Sequence, residues 1–366
     1  MTQNEVEGER LSSRNTRNAL PSWGNEIWLT RGQRRFIGTI ATIAVLGFLI
    51  TWVVTLTPWP SALAIRAVFE QGGQSTAAEM EQYVTDAPLS EQLAVPVDGG
   101  SSDAGITFDV YTPDDGDDEP LPTVVWVHGG AWISGSSSNV DPYLRILAAE
   151  GYTTVGLNYT FGPEATYPVA VHQLNDALAT LDSRAAEFRI DPERIVLAGD
   201  SAGAQLASQL AALSTNPDYA RLLGIDPALG ADQLVGVVLN CGVYDLDAMS
   251  ELTGVGAWGF KIALWGYTGH QDWSQRSSGA TMSTIDFVTA DFPTTYISGG
   301  NGDALTWIQS LPMRDRLVQQ GVAVTELFWP ADHEPALPHE YQFHLDFEEA
   351  RAALVETLEF LEEVTG

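Results

Sequence analysis

Basic residues are scarce in this sequence, and cysteine is almost absent. The 366 residues include 17 lysines and arginines against 48 aspartates and glutamates, which gives a formal net charge of −31 at pH 7. Such an acidic surface repels nucleic acid, so nucleic acid is excluded as a partner, and the acidity is typical of a soluble surface. Lys261 is the only lysine, and Cys241 is the only cysteine, which excludes an internal disulfide.

One long uncharged run lies near the N-terminus, at residues 36–56. As a helix it would be about 31 Å long, close to the roughly 30 Å apolar thickness of a bilayer. Arg31, Arg34 and Arg35 precede the run, and Arg66 is the first basic residue after it. This asymmetry predicts a single span, with the N-terminus in the cytoplasm and the body outside the cell membrane.

We therefore predict a cytoplasmic tail at 1–35, a transmembrane helix at 36–57 in contact with the lipid bilayer, a juxtamembrane helical linker at 58–104 and a folded domain at 105–366. A cleaved signal peptide ending at Ala62-Leu63-Ala64 is the alternative to the anchor. A buried helix of a soluble domain fits less well, because the run has no polar face.

The linker carries apolar residues at helical spacing from Ser61 to Val84, broken at Gly72-Gly73. This pattern predicts a pair of amphipathic helices that lie on the membrane or pack on the body.

Short apolar runs alternate with helical patterns through the rest of the chain. We predict strands at 106–111, 122–127, 153–159, 195–198, 234–241, 294–298 and 322–329. This alternation predicts an α/β fold with a mostly parallel sheet flanked by helices. The segment at about 246–291 interrupts the rhythm and is rich in Trp, Gly, Tyr and Met, so we interpret it as an inserted cap, with a satellite core as the alternative.

The sequence Gly199-Asp200-Ser201-Ala202-Gly203 follows an apolar strand and precedes a helical pattern. A serine on such a sharp strand-to-helix turn is lifted out of the sheet, where it can act as a nucleophile. The glycines two residues before and after the serine avoid collisions with the neighbouring strand and helix.

A serine nucleophile needs a base, and the base needs an orienting acid, in the chain order Ser, acid, His. Asp303 follows the strand at 294–298 and is the favoured acid, with Asp245 and Asp291 as alternatives. His339 is the favoured base and His333 its competitor, both in the proline-containing loop after the last strand. His344 is interpreted as a surface residue.

The sequence His128-Gly129-Gly130 directly follows a predicted buried strand. Two glycines there let the backbone pass close to the serine. The N–H groups of Gly129 and Gly130, with that of Ala202, are therefore predicted to form an oxyanion hole.

These residues together resemble the α/β-hydrolase superfamily, on the esterase and lipase side that includes hormone-sensitive-lipase-like enzymes, feruloyl-esterase-like enzymes and kynurenine formamidases. The matching parts are His128-Gly129-Gly130-Ala131-Trp132, Asn158-Tyr159, Pro163-Glu164, Tyr167-Pro168, Gly199-Asp200-Ser201-Ala202-Gly203-Ala204, Gly302-Asp303 and His339-Glu340-Tyr341. The resemblance covers roughly residues 105–362. It implies Ser201 as nucleophile, Asp303 as acid and His339 as base. Ala131 stands where hormone-sensitive-lipase-like members usually have a third glycine, and most relatives lack a membrane anchor.

The resulting expectation is a membrane-anchored serine hydrolase that cleaves carboxylic esters through an acyl-serine, acts on a small-molecule or lipid-like ester, and needs no metal or organic cofactor. Amide hydrolysis, acyl transfer, or adhesion by a catalytically dead hydrolase fold are the alternatives. Trp132, Tyr159, Trp258 and Trp265 are the candidate substrate-pocket residues. The cap aromatics are Trp258, Phe260, Trp265, Tyr267 and Trp273, and some of them are expected to line an apolar acyl pocket above Ser201.

Overall fold

The computed structural model of the chain describes residues 30–99 and 105–366. Residues 1–29 of the predicted tail and residues 100–104 of the predicted linker fall outside these ranges. The chain divides into two compact units, one reaching Trp52 and the other comprising Val53–Gly366. Most of helix α1 (Arg31–Leu56) belongs to the first. Within the described ranges, α1 is the one helix long and apolar enough to cross a membrane, with a mean hydropathy of 2.3, although a signal sequence can share this length and composition.

The second unit contains one sheet of eight strands and ten further helices among the described residues. The strands are β1 (Leu89–Pro96), β2 (Thr107–Pro113), β3 (Leu121–Val127), β4 (Thr153–Leu157), β5 (Ile190–Asp200), β6 (Leu234–Asn240), β7 (Thr295–Gly299) and β8 (Val324–Phe328). The helices are α2 (Trp59–Met80), α3 (Asp141–Ala149), α4 (Val169–Ser183), α5 (Ala202–Thr215), α6 (Pro217–Leu223), α7 (Leu246–Glu251), α8 (Gly254–Thr268), α9 (Ser277–Met282), α10 (Leu311–Gln320) and α11 (Glu348–Thr365).

The strands lie in the order β1-β2-β4-β3-β5-β6-β7-β8. Strand β2 runs antiparallel to β1 and β4, and all the other neighbours are parallel. The predicted α/β fold with a mostly parallel sheet is therefore confirmed. Parallel strands end at one edge, so the loops after β3, β5, β7 and β8 meet there.

Both faces of the sheet are buried along its central strands, which explains why those strands read as apolar runs. Successive side chains of a strand point to opposite faces. In β3, Val125 and Val127 belong to the core that contains residues of α4 and α5, whereas Val124 and Trp126 belong to the core that contains residues of α3 and α11.

The segment predicted as a juxtamembrane linker forms part of the second unit. Strand β1 lies in it and forms the edge of the sheet. It was missed because its sequence, LSEQLAVP, has a single β-branched residue and mostly exposed side chains.

Helix α2 is continuous, so the expected break at Gly72-Gly73 is wrong. A glycine inside a helix costs about 1 kcal/mol relative to alanine, and packing can offset that cost. Ala62 and Met80 of α2 are fully buried, and a Cβ at Gly73 would lie 2.7 Å from the Asn139 amide nitrogen. Glycine therefore allows α2 to pack closely on the body.

The segment predicted as a cap folds into α7, α8, α9 and short 3-10 turns between β6 and β7. Several of its apolar residues, including Leu264, Tyr267 and Trp273, belong to the main core rather than to a separate layer.

Candidate active site

Ser201 stands at a sharp turn between β5 and α5. Its backbone has φ 52° and ψ −118°, a conformation that residues other than glycine rarely adopt. The flanking glycines make the turn possible, since a Cβ at Gly203 would overlap the Val127 carbonyl and one at Gly199 would overlap the backbone of Gly203. The turn places Ser201 at the N-terminus of α5, where it lines a cavity.

His339 lies between Ser201 and Asp303. Its Nε2 is 2.9 Å from Ser201 Oγ, and its Nδ1 is 2.6 Å from Asp303 Oδ2. Burial lowers the pKa of His339, but the neighbouring Cys241 sulfur and the Asp303 carboxylate raise it well above its ordinary value. Such an arrangement can pass a proton from the serine to the imidazole while the carboxylate stabilises the charge that forms.

Asn301 ties together the loops that carry Asp303 and His339. Its Oδ1 accepts a hydrogen bond from the Leu337 N–H at 2.8 Å, and its Nδ2 donates to the His333 carbonyl at 2.8 Å. The Leu337 carbonyl in turn accepts from the Gly302 N–H at 2.9 Å. These bonds fix the separation of the two loops and hence of the two side chains.

The alternative acids and bases lie elsewhere. His333 Nε2 is 2.7 Å from Glu349 Oε1 at the start of α11, and His344 Nδ1 is 3.4 Å from Glu79 Oε2. Asp245 accepts a hydrogen bond from the Ala248 N–H and so caps α7. Asp291 is exposed. The fold thus brings His339 and Asp303 to Ser201. It does not bring His333, His344, Asp245 or Asp291 there.

The loop after β3 requires a correction to the predicted oxyanion hole. The Gly129 N–H donates a 2.8 Å hydrogen bond to Asp200 Oδ2, so it is not free to bind an oxyanion. In the part of the chain that the structure describes, the N–H groups of Gly130 and Ala131 donate to no protein acceptor. The N–H of Ala202, the first residue of α5, has no acceptor within its helix.

His128 holds this loop from behind. Its ring stacks on Tyr159, with centroids 4.6 Å apart, and its Nδ1 is 2.7 Å from the Gly129 carbonyl oxygen. Burial lowers the pKa of His128 to about 4, so the ring is neutral near pH 7. Because a carbonyl only accepts, Nδ1 carries the proton, and His128 serves to support the loop.

The cavity at Ser201 has a volume of about 350 Å³. Helix α2 contributes Val68, Phe69, Gly72, Gly73 and Thr76 to its wall, and α8 contributes Phe260. Val140 and Phe343 add further apolar surface. One side of the site is therefore formed by a segment well outside the stretch that carries the catalytic motifs.

The four predicted pocket residues lie outside this lining. Trp132 is buried, stacks on Tyr267 and donates a 3.0 Å hydrogen bond to Gln205 Oε1. Tyr159 is buried and donates to the His128 carbonyl. Trp258 is exposed, and Trp265 packs at the edge of a small cluster around Ala62. The sequence showed that aromatic residues are concentrated in the segment at 246–291, but not where each ring points. Of these cap aromatics, Phe260 alone lines the cavity.

Two carboxyl side chains that the sequence reading left without a role, Asp200 and Glu340, also line the cavity. Asp200 is a charged residue in an otherwise apolar strand end, and Glu340 directly follows the candidate base. These two positions in the sequence could have identified Asp200 and Glu340 as residues of the site.

The backbone is unusual at this site. Among the described residues, seven that are not glycine have a positive φ, and five of them surround the cavity or its loops. They are Ala131, Trp132, Ser201, Cys241 and Glu340.

Comparison with known proteins places this geometry in a family. The BD-FAE family model matches residues 108–317. An acetyl esterase from Salmonella choleraesuis is 31% identical over 209 residues, which cover 56% of this chain and 58% of the relative. The match thus spans less than two thirds of that relative's length.

Solved structures of esterases share the fold. Esterase B from Lactobacillus rhamnosis is 24% identical, with a TM-score of 0.69 over 84% of this chain and 96% of its own. EstE1, a carboxylesterase cloned from a metagenomic library, is 20% identical, with a TM-score of 0.65 over 83% of this chain and 98% of its own. From the matched residues, the sheet order and these neighbours, the chain belongs to the BD-FAE family of the α/β-hydrolase superfamily.

Proposed function

We propose that the protein is a serine hydrolase that cleaves carboxylic esters through an acyl-serine intermediate. The observation that carries this proposal is the relay from Ser201 Oγ through His339 to Asp303, with separations of 2.9 and 2.6 Å. The acetyl esterases among its relatives support a carboxylic ester as the substrate.

In this mechanism His339 Nε2 takes the proton of Ser201 as the hydroxyl attacks the ester carbonyl. Asp303 accepts the hydrogen bond from Nδ1–H and stabilises the imidazolium. The imidazolium then protonates the leaving alcohol. A water molecule, deprotonated by the same nitrogen, releases the acyl group and restores Ser201.

The oxyanion of each tetrahedral intermediate is assigned to the N–H groups of Gly130, Ala131 and Ala202. Donors preorganised where charge develops are worth about 10²–10³-fold each in turnover. This assignment replaces Gly129, whose N–H is bonded to Asp200. It also makes the third glycine unnecessary, because Ala131 supplies the same backbone donor with φ 52°.

The acyl group is assigned to the apolar part of the cavity, between Val68 and Phe69 of α2 and Phe260 of α8. A neutral ester suits this lining better than an anionic one, since Asp200 and Glu340 face the same space.

The test is labelling and hydrolysis with the full chain in detergent. We expect a fluorophosphonate probe to label the wild type and not Ser201→Ala. We also expect p-nitrophenyl esters of graded chain length to be hydrolysed with a preference set by the cavity. A wild-type protein that folds but neither reacts with the probe nor cleaves any ester would instead support a catalytically dead scaffold. Faster cleavage of the matched anilides would favour an amidase.

We further propose that α1 anchors the protein in a membrane, with the N-terminus in the cytoplasm and the catalytic domain outside. The cleavage-like Ala62-Leu63-Ala64 lies inside α2, and Ala62 is fully buried in a cluster with Ala131 and Ile133. Arg66, one turn later, makes two hydrogen bonds of 2.7 and 2.6 Å to Glu164. Cleavage there would cut a helix that lines the cavity, which supports an uncleaved anchor.

We expect the full chain to sediment with membranes after carbonate extraction, and a C-terminal reporter to be accessible from outside intact cells. Recovery of a soluble mature protein that begins near Ile65 would contradict the anchor and favour a signal peptide.

A further inference from the structure

Helix α2 packs on the second unit along one side and exposes the other. On the packed side, Ala62 is fully buried in one cluster with Ile262 and Ala263 of α8. The exposed side of its first three turns is apolar and consists of residues at a spacing of four, which share one face of a helix. We call this surface the outer face of α2, and its residues are Trp59, Pro60, Leu63, Ala64, Ala67 and Val68.

The outer face lies in a stretch of the sequence without acidic residues. No aspartate or glutamate occurs between Glu26 and Glu70, although 48 of the 366 residues are acidic. In the first three turns of α2 the one charged residue is Arg66, and it is paired with Glu164 at 2.6 Å. The outer face can therefore enter an apolar phase without removing any charge from water.

The chain joins the outer face closely to the proposed anchor. Thr57 and Pro58 alone separate α1 from α2, and the three Cα–Cα steps from Leu56 to Trp59 span at most about 11 Å. If α1 crosses a bilayer, α2 thus begins at the bilayer surface. Trp59, the first residue of α2, is 43% exposed, and tryptophan is enriched at membrane–water interfaces.

The other end of the outer face lies at the opening of the active-site cavity. Val68 and its neighbour Phe69 both line the cavity, yet they are 66% and 43% exposed. Side chains that line a cavity and also face solvent stand at its opening. Trp59 and Val68 are nine residues apart, which is about 14 Å along a helix. An uncharged surface therefore leads from the end of α1 to the cavity that contains Ser201.

The cavity suits a guest that is uncharged and apolar. Val140, Phe260 and Phe343 add apolar surface to its wall, and Asp200 and Glu340 also face it. No lysine or arginine of the described residues lines it. A fatty acid anion would therefore find no positive partner there, whereas the acyl chain of a neutral ester would find apolar contacts.

We propose that the outer face of α2 lies in the lipid layer at the C-terminal end of α1, and that the substrate is an uncharged ester dissolved in that layer. Its acyl chain reaches Ser201 past Val68 and Phe69. Burial of the large apolar side chains of this face in lipid stabilises the contact. The substrate part of this inference rests on the proposed esterase function, and both parts rest on the proposed anchor.

The first measurement needs no turnover. Cys241 is the one cysteine and is fully buried, so an environment-sensitive thiol dye can be attached selectively to Leu63→Cys. In the full chain, reconstituted into phosphatidylcholine vesicles, we expect the dye to emit at shorter wavelength than in water. We also expect lipid that carries a nitroxide in its acyl chain to quench it.

Leu222→Cys is the matched control. Leu222 is 58% exposed on α6, which follows the end of α5 opposite Ser201. Its dye should show neither the spectral shift nor the quenching. Equal emission at positions 63 and 222, from a protein that sediments with the vesicles, would overturn the lipid contact and leave the anchor intact. A shift at position 63 without quenching would show that protein, such as a second copy of the chain, covers the face, and would also overturn it.

The second measurement compares two esters in the same vesicles, p-nitrophenyl butyrate in the water and p-nitrophenyl dodecanoate in the lipid. We expect the double variant Trp59→Gln with Leu63→Gln to lower kcat/KM for the dodecanoate about tenfold or more, because two large apolar groups no longer hold the face in lipid. The butyrate should change by no more than about twofold, as for other surface substitutions, since neither residue lines the cavity. Leu222→Gln should leave both esters unaffected.

Equal losses on the two esters, with circular dichroism unchanged, would overturn the route through the lipid. A wild type that cleaves neither ester, combined with lipid quenching at position 63, would count against the esterase proposal alone and support the lipid contact.

Discussion

Replacement of His339 by alanine is expected to lower kcat for ester hydrolysis by about 10⁴-fold or more. His339 is the one imidazole that contacts Ser201 Oγ in the described chain, at 2.9 Å. Without it the hydroxyl keeps its proton and remains a poor nucleophile. The measurement is kcat on a short p-nitrophenyl ester, with circular dichroism to show that the fold is retained.

His333→Ala is the matched control, because it removes the second imidazole of the same loop. His333 is bonded to Glu349 at 2.7 Å on the surface of α11, so its loss should leave most of the turnover. A reversed pair of results, with both variants folded, would transfer the role of base to His333 and require the loop to rearrange in solution.

Replacement of Asp303 by asparagine is expected to lower kcat by about 10⁴-fold. Asp303 Oδ1 accepts from the Leu305 N–H at 2.9 Å, and Oδ2 faces His339 Nδ1 at 2.6 Å. Asparagine would keep its oxygen on Leu305 and turn its amide N–H₂ toward Nδ1. Nδ1 would then have to accept, which places the imidazole proton on Nε2 and blocks the uptake of the serine proton.

The control for this variant is Asp245→Asn, which makes the same chemical change at an alternative acid. Asp245 caps α7, and asparagine is an equally good helix cap, so turnover should be unchanged. A small effect of Asp303→Asn, measured as kcat over a range of pH, would show that the orientation of His339 does not depend on this carboxylate.

Much of the fold was predictable, because most of the sheet is buried on both faces and buried strands read as apolar runs. Seven of the eight strands were expected near their observed positions. The exception is β1, an edge strand with mostly exposed side chains. Few of its residues pack in a core, so the sequence shows no apolar run or alternation there.

The members of the relay were predictable for a different reason. Strand ends and turn glycines place Ser201, Asp303 and His339 at one edge of the sheet, and that placement follows from topology. The contacts of Gly129 did not follow from it, because they depend on the direction of Asp200, a residue whose neighbours are distant in sequence. The contribution of α2 to the cavity wall could not be predicted either. Nothing in residues 59–80 indicates which surface of the second unit they cover.

The left-handed backbone around the cavity has a consequence for selection. Residues held in sparsely populated regions cost of the order of 1–3 kcal/mol each, and five such residues surround this site. That sum is comparable to the whole free energy of unfolding of an ordinary domain, roughly 5–15 kcal/mol. At Ser201, a screen that selects only for heat resistance would therefore favour glycine, which adopts the same backbone without strain but has no hydroxyl.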